Sequence, residues 1–245
     1  NEPLLYFADQ ANVPYGPRSL SEVRKFSLAI SRFLLEGDCK LIVVACNTAS
    51  AAALHQLRES FPDSPFVGME PAVKPAVEIT QSKRVAVLAT SATFQGELFA
   101  SVVERFAQGV EVIQIVLPGL VERIEIGDVA GDETRKILQE RLDDLRDRQV
   151  DTLVLACTHY AFVIPIVERI LGPGVRVIDP APAIARQTAK LLQTRRLAAD
   201  ADTAGRVRYL TSGDPLAFRL AVLRLIGEEA TVEAARWNGD ALELV

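Results

Sequence analysis

Two cysteines stand at matching points of two similar phrases. Residues 41–48 read Leu-Ile-Val-Val-Ala-Cys-Asn-Thr, and residues 153–159 read Leu-Val-Leu-Ala-Cys-Thr-His. Each phrase is an apolar run ending in Ala, then Cys, then small polar residues that open a helix-like segment. This puts Cys46 and Cys157 just past the C-terminal ends of two strands, where open parallel sheets bind ligands. It also puts each at a helix N-terminus, whose free N–H groups and positive dipole end favour a thiolate and accept a carboxylate. Two such thiols on opposite sides of a cleft suit proton transfer at carbon. One thiolate removes a proton, the other thiol delivers one to the opposite face, and the carbon is inverted. Thiols with pKa values drawn toward the working pH are competent for this. His159, two residues past Cys157, falls at the same place. A Cys after a buried strand is commonly a packing residue, and two thiols could instead form a redox pair. The matched positions, each followed by Thr or Asn-Thr, favour proton transfer. Cys39, between Asp38 and Lys40, reads as structural, and His55 as a surface or packing residue.

The elements that must position these thiols alternate along the chain. Strands are expected at 4–8, 40–45, 65–69, 84–89, 110–116, 151–156, 175–178 and 206–210, from short β-branched, apolar runs. Helices are expected between them: one capped by Ser19 or Ser21 and ended by Gly37, one opened by Asn47-Thr48, one from Thr90–Thr93 to about Phe106, an amphipathic one over 132–147, and one over about 215–227. The end of the chain, with Trp237, carries no assigned element. Strands that are apolar on all sides and alternate with helices predict an α/β fold of parallel sheets.

The repeat extends beyond the cysteines. Cys46 is followed after 24 positions by Glu70-Pro71-Ala72, and Cys157 after 22 by Asp179-Pro180-Ala181. The expectation is therefore two similar doubly wound domains with mostly parallel sheets and an active site in the cleft between them. The first spans 1–78 plus 188–245, the second 79–187. The second opens with the strand 84–89 and the loop Thr90–Thr93, 67 residues before Cys157; the same step back from Cys46 lands before residue 1. The repeat thus predicts a further strand, loop and helix upstream of the given sequence.

Whole-chain properties narrow the class. With 245 residues, 49% apolar and 24% charged, the chain has the balance of a globular protein with real cores. A net charge of −5 argues against a sequence-independent grip on nucleic acid. No apolar run approaches membrane-spanning length, and no signal-peptide pattern opens the sequence; the reading is a soluble, cytoplasmic protein. Three cysteines do not make a disulfide framework, and two scattered histidines without CxxC or HxxxH spacing offer no metal site.

Ala45-Cys46-Asn47-Thr48-Ala49 and Ala156-Cys157-Thr158-His159-Tyr160 resemble the two signature motifs of the glutamate racemases, in the aspartate/glutamate racemase superfamily. Tyr6-Phe7-Ala8-Asp9, Val13-Pro14-Tyr15-Gly16, Gly68-Met69-Glu70-Pro71-Ala72 and Thr211-Ser212-Gly213-Asp214 extend the resemblance over nearly the whole chain. Aspartate racemases usually carry an acid where His159 stands, so Cys-Thr-His favours glutamate. The resemblance implies interconversion of L- and D-glutamate without cofactor or metal, supplying D-glutamate for peptidoglycan. Cys46 and Cys157 would be the alternating acid and base. Tyr15, Gly16, Asn47, Thr48, Thr158 and His159 would bind the amino acid, with Thr90 and Thr93 as additional contacts. Glu125, preferred over Glu122 because Gly127 follows it, and His159 would assist proton transfer. The implied partner is the small-molecule substrate, with a homodimer left open. The family's opening strand and Asp-Ser-Gly-x-Gly-Gly loop do not occur in the given sequence, which predicts weak activity and lower stability for these 245 residues alone. The alternatives are a racemase of aspartate or another small acid, an inactive binding fragment, or a thiol redox protein.

Overall fold

The computed structural model describes residues 2–200 and 203–245. Its elements run β1 (Leu4–Ala8), α1 (Leu20–Glu36), β2 (Ile42–Val44), α2 (Asn47–Ser60), β3 (Phe66–Gly68), α3 (Val73–Ile79), β4 (Arg84–Ala89), α4 (Ser91–Gln95), α5 (Glu97–Phe106) and β5 (Glu111–Ile115). They continue with α6 (Leu120–Glu125), α7 (Asp132–Leu142), β6 (Thr152–Ala156), α8 (Ile164–Leu171), β7 (Arg176–Ile178), α9 (Ala181–Thr194), β8 (Val207–Thr211), α10 (Pro215–Ile226), β9 (Val232–Asn238) and β10 (Ala241–Leu244).

The eight expected strands are present, and the fold is α/β with parallel pairing. The sheet of the second repeat has the order β5-β4-β6-β7, all parallel, in the register Val87↔Gln114 and Val87↔Val154. Its pleat divides the core. Ala86, Leu88, Leu153 and Leu155 point into a layer with Leu120, Ile124, Leu138 and Val167 from α6, α7 and α8. Val85, Val87, Val154 and Ala156 point the other way, onto Ala76 of α3 and Phe99 and Val102 of α5. Helices cover both faces, so both faces of each strand must be apolar. The result is a sheet whose strand ends are held rigidly.

The first repeat departs from the expected copy. Its strands lie in two sheets, β2-β3 and β1-β8-β9-β10. β8 comes from the C-terminal tail and pairs parallel with β1, Tyr6 opposite Tyr209. In the second repeat β4 joins β5 to β6. In the first, β1 and β2, the counterparts of β5 and β6, are not hydrogen-bonded to one another.

Three local expectations need correction. The end of the chain is a β-hairpin, with Asn238 opposite Ala241 across Gly239-Asp240. The helix expected from Thr90 to Phe106 is two helices broken at Gly96, where the chain presses against α2. A Cβ on Gly96 would lie 2.7 Å from the Ala51 Cβ. The helix of 132–147 ends at Leu142 and finishes as a 3₁₀ turn, Asp143–Leu145. Other termini follow the sequence signals. Ser19 and Glu22 form a reciprocal capping box at α1, and Gly37 closes that helix. At the foot of the second sheet, Asp151 accepts from the Thr80 hydroxyl at 2.6 Å and from the Gln81 and Ser82 N–H groups at 2.7 Å. It thereby fastens the segment between α3 and β4.

Candidate active site

Cys46 and Cys157 occupy the same backbone position in their repeats. Each follows a strand and caps a helical turn, with φ −153°, ψ 125° at Cys46 and φ −148°, ψ 129° at Cys157. The Cys46 sulfur meets the helix end, whereas the Cys157 sulfur meets His159. Cys39, Cys46 and Cys157 are free thiols.

At Cys46 the sulfur accepts from the Ala49 N–H at 3.4 Å. The expectation that the helix end draws this thiol down is not met. Burial pushes Cys46 up to about 11; the Ala49 and Thr48 N–H groups and the Thr48 hydroxyl oppose this, and the nearby Cys157 adds to it. Desolvation outweighs the dipole because the protein excludes water that would solvate a thiolate.

Cys157 has different neighbours. Its sulfur is 3.9 Å from His159 Nδ1, and His159 Nε2 is 2.6 Å from Glu125 Oε1. α6 supplies Glu125 at its last position, and the 3₁₀ turn Thr158–Val163 supplies His159. Burial would pull His159 down, but hydrogen bonds to Cys157 and Glu125 and their negative charge raise it to about 10. The His159 hydrogen bond lowers Glu125 against the opposing effect of burial, helped by Gln10 from the loop after β1. An imidazolium–carboxylate pair therefore stands beside Cys157 at neutral pH.

The remaining expected residues gather around these two centres. Thr48, Thr90 and Thr93 form a ring of hydroxyls, with Oγ1 separations of 2.8, 3.1 and 3.0 Å. Thr48 opens α2, Thr90 lies in the loop after β4 and Thr93 in α4, so the ring joins the two repeats. Gly16 lies against the Thr90 side chain: a Cβ there would come within 3.1 Å of it. Tyr15 donates its hydroxyl to Asp9 at 2.6 Å, and Cys46 is close enough to raise Tyr15 further after burial and Asp9. Asn47 is 2% exposed, and neither its amide nitrogen nor its amide oxygen has a protein partner. Buried polar groups are normally paired, so this amide is available to a ligand. Thr158 sits half-buried at the start of its turn. Glu70 and Asp179 hold no place beside the thiols: Asp179 accepts from the Ala181 N–H at the start of α9, and Glu70 is exposed.

Sequence reasoning missed Gln10 and Asp9. Both lie in or beside the Tyr6–Asp9 phrase, which carried a resemblance but no assigned role. Among the described residues, no cluster of three or more His, Cys, Asp or Glu could hold a metal ion, and no helix is long and apolar enough to cross a membrane.

Comparison with known proteins follows the same lines. The family model for Asp/Glu/hydantoin racemase matches residues 1–188. The glutamate racemase of Roseiflexus sp. (strain RS-1) is 47% identical over 225 residues, covering 91% of this chain and 83% of that protein. Among solved structures, glutamate racemase isoform RacE1 from Bacillus anthracis superposes with a TM-score of 0.86 at 28% identity, covering 98% of this chain and 89% of its own. The glutamate racemase from Francisella tularensis, solved in complex with D-glutamate, superposes with a TM-score of 0.83 at 27% identity, covering 97% and 88%. With its two matched thiol loops and these likenesses, the chain belongs to the Asp/Glu/hydantoin racemase family.

Proposed function

We propose that this protein interconverts L- and D-glutamate, with Cys46 and Cys157 as the two proton-transferring groups. The observation that carries the reading is the pair of thiols in matched backbone conformations, with the buried, unpartnered amide of Asn47 next to Cys46. The relatives' names supply the substrate. Two units, 1–78 plus 188–245 and 79–187, flank the site; the pairing of β8 with β1 supports that division.

The chemistry runs as follows. The substrate carboxylates take N–H groups, hydroxyls and the unpartnered Asn47 amide from among Tyr15, Gly16, Asn47, Thr48, Thr90, Thr93 and Thr158. This fixes the α-carbon between the sulfurs, in the manner of a near-attack geometry. In the resting protein Cys46 keeps its proton. For the enantiomer whose α-hydrogen faces Cys157, that sulfur removes the proton beside the His159 imidazolium, and Cys46 protonates the opposite face. For the other enantiomer Cys46 must first be deprotonated. The Ala49 N–H and the Thr48 hydroxyl then stabilise its charge. Glu125 holds His159 in place and protonated. No step requires a cofactor. The D-glutamate so formed would serve cytoplasmic cell-wall precursor synthesis.

The test is turnover of each glutamate enantiomer in deuterated water by the full natural chain. Expected are loss of optical rotation and one deuterium at the α-carbon of the product. Strong turnover of aspartate with none of glutamate would overturn the substrate assignment, and absence of exchange would overturn the reaction.

A further inference from the structure

The C-terminal hairpin lies outside the residues matched by the family model, yet it reaches the site. Trp237 of β9 donates its indole N–H to Asp9 Oδ1 at 2.8 Å, across a sequence separation of 228. Asp9 is 7% exposed. It also accepts from Ser212 Oγ at 2.7 Å, from Tyr15 Oη at 2.6 Å, and from the Asn12 amide at 3.1 Å to both oxygens. A carboxylate offers about four acceptor positions, so this one is saturated, and by neutral donors alone. Ser212 in turn accepts from the Ala11 N–H at 3.1 Å. Three separate segments are thus tied to one carboxylate: the loop after β1, the loop after β8 and the hairpin. Packing repeats the connection, since the Tyr15 ring stacks on Phe26 and Phe26 meets Trp237 edge-on. From Tyr15 the path is short: Gly16 lies on Thr90, and Thr90 shares its hydroxyl with Thr48 beside Cys46.

We infer that Asp9 and Trp237 are positioning residues: the hairpin, through Asp9, holds the Tyr15–Gly16 loop in the conformation that binds the substrate. This rests on the proposed glutamate reaction. Neither residue touches the reacting carbon, so the loss expected on substitution is one of substrate affinity. Buried hydrogen bonds to a charged group are among the stronger ones, and a loop released from them must be reordered at each binding event.

The experiment uses the full natural chain carrying Trp237→Phe, Asp9→Asn or, as a reference, Asp151→Ala. Trp237→Phe keeps a ring against Phe26 and removes only the N–H donor. Expected for Trp237→Phe is a KM for both enantiomers raised about ten-fold with kcat within about three-fold, and for Asp9→Asn a larger rise. Asp151→Ala, whose hydrogen bonds fasten a distant turn, lowers the melting temperature but leaves KM at the wild-type value. If Trp237→Phe and Asp9→Asn lower the melting temperature with KM unchanged, the network is only structural and the inference falls. It also falls if Asp151→Ala raises KM as much, or if kcat collapses with KM intact. A wild-type enzyme that leaves glutamate untouched would overturn the proposed function and this inference together; a normal wild-type enzyme with normal variant KM values overturns this inference alone.

Discussion

The Cys46 and Cys157 loops share backbone angles within a few degrees, and almost nothing else. Cys46 faces neutral dipoles: the Ala49 N–H and the hydroxyl of Thr48. Cys157 faces a charge, the His159 imidazolium held by Glu125. Duplication explains the common geometry, which in the proposed reaction sets one sulfur on either side of the α-carbon. The surroundings then diverged, so in the proposed reaction each sulfur handles its own proton by different means. Oriented dipoles stabilise charge without carrying any, and their effect changes little with pH. An imidazolium is a full charge that titrates.

The comparison is broken most severely by removing either sulfur. Cys46→Ser and Cys157→Ser should each lower glutamate racemisation by roughly 10³-fold or more, because a serine hydroxyl is a far weaker acid than a thiol and is not ionised at working pH to serve as the base. A variant retaining a tenth of wild-type turnover would remove that cysteine from the mechanism. Next in size is the charge beside Cys157. His159→Asn or Glu125→Gln should lower kcat by about 10²-fold. The equilibrium constant of a racemisation is one, so kcat/KM must fall equally for both enantiomers. The asymmetry of the site must appear in kcat with a matching change in KM, kcat being lower for the enantiomer that Cys157 deprotonates. Equal kcat values for both enantiomers in steady-state assays would contradict the division of roles.

Smaller effects sharpen the contrast. Thr48→Val removes a hydroxyl near Cys46 and opens the ring; turnover should fall about ten-fold, with stability lower by about 1 kcal/mol. The charged pair gives the pH signature. His159 is raised in the folded protein, so its contribution to stability is complete below its ordinary value of 6.5 and is lost as pH rises through about 10. Glu125 is lowered, so its contribution is present above the usual carboxylate range and is lost as pH falls through the depressed value. Melting temperatures of wild type and His159→Asn should therefore converge above about pH 10, and separation persisting there would contradict the pairing. Least connected to the site is Asp151. Burial would raise it, but the Thr80 hydroxyl and the Ser82 and Gln81 N–H groups hold it at about 2. Its stabilisation is present above 3.8 and is lost as pH falls through about 2. Asp151→Ala should cost roughly 2 kcal/mol at neutral pH in a denaturant titration.

The strand ends and the cysteines were legible because parallel strands covered on both faces must be continuous apolar runs, and Leu153–Ala156 could be little else. The hairpin was missed although its signal is present: Gly239-Asp240 is a two-residue turn pair, and Gly239 has φ 60°. The alternation on either side is weak, because β9 is half-buried and β10 mostly exposed. The break at Gly96 was illegible because its cause is a neighbour far away in sequence, Ala51. The level of Cys46 was misread because a helix end can be seen in a sequence and desolvation cannot. Gln10 and Asp9 lay within or beside a recognised phrase, but their partners, Glu125, Ser212 and Trp237, come from distant segments.

The ring of Thr48, Thr90 and Thr93 gives the seam between the repeats an electrical character of its own. Each of the three hydroxyls lies within hydrogen-bond distance of the other two, and the ring carries no net charge. Among the described residues, every salt bridge lies within one repeat or the other. Dissolved ions have little to screen at such a join, and neither acid nor base can titrate it. The junction beside Cys46 therefore keeps its alignment across ionic strengths that would loosen an ion-paired hinge, leaving the charge near His159 as the part of the site that responds to its medium.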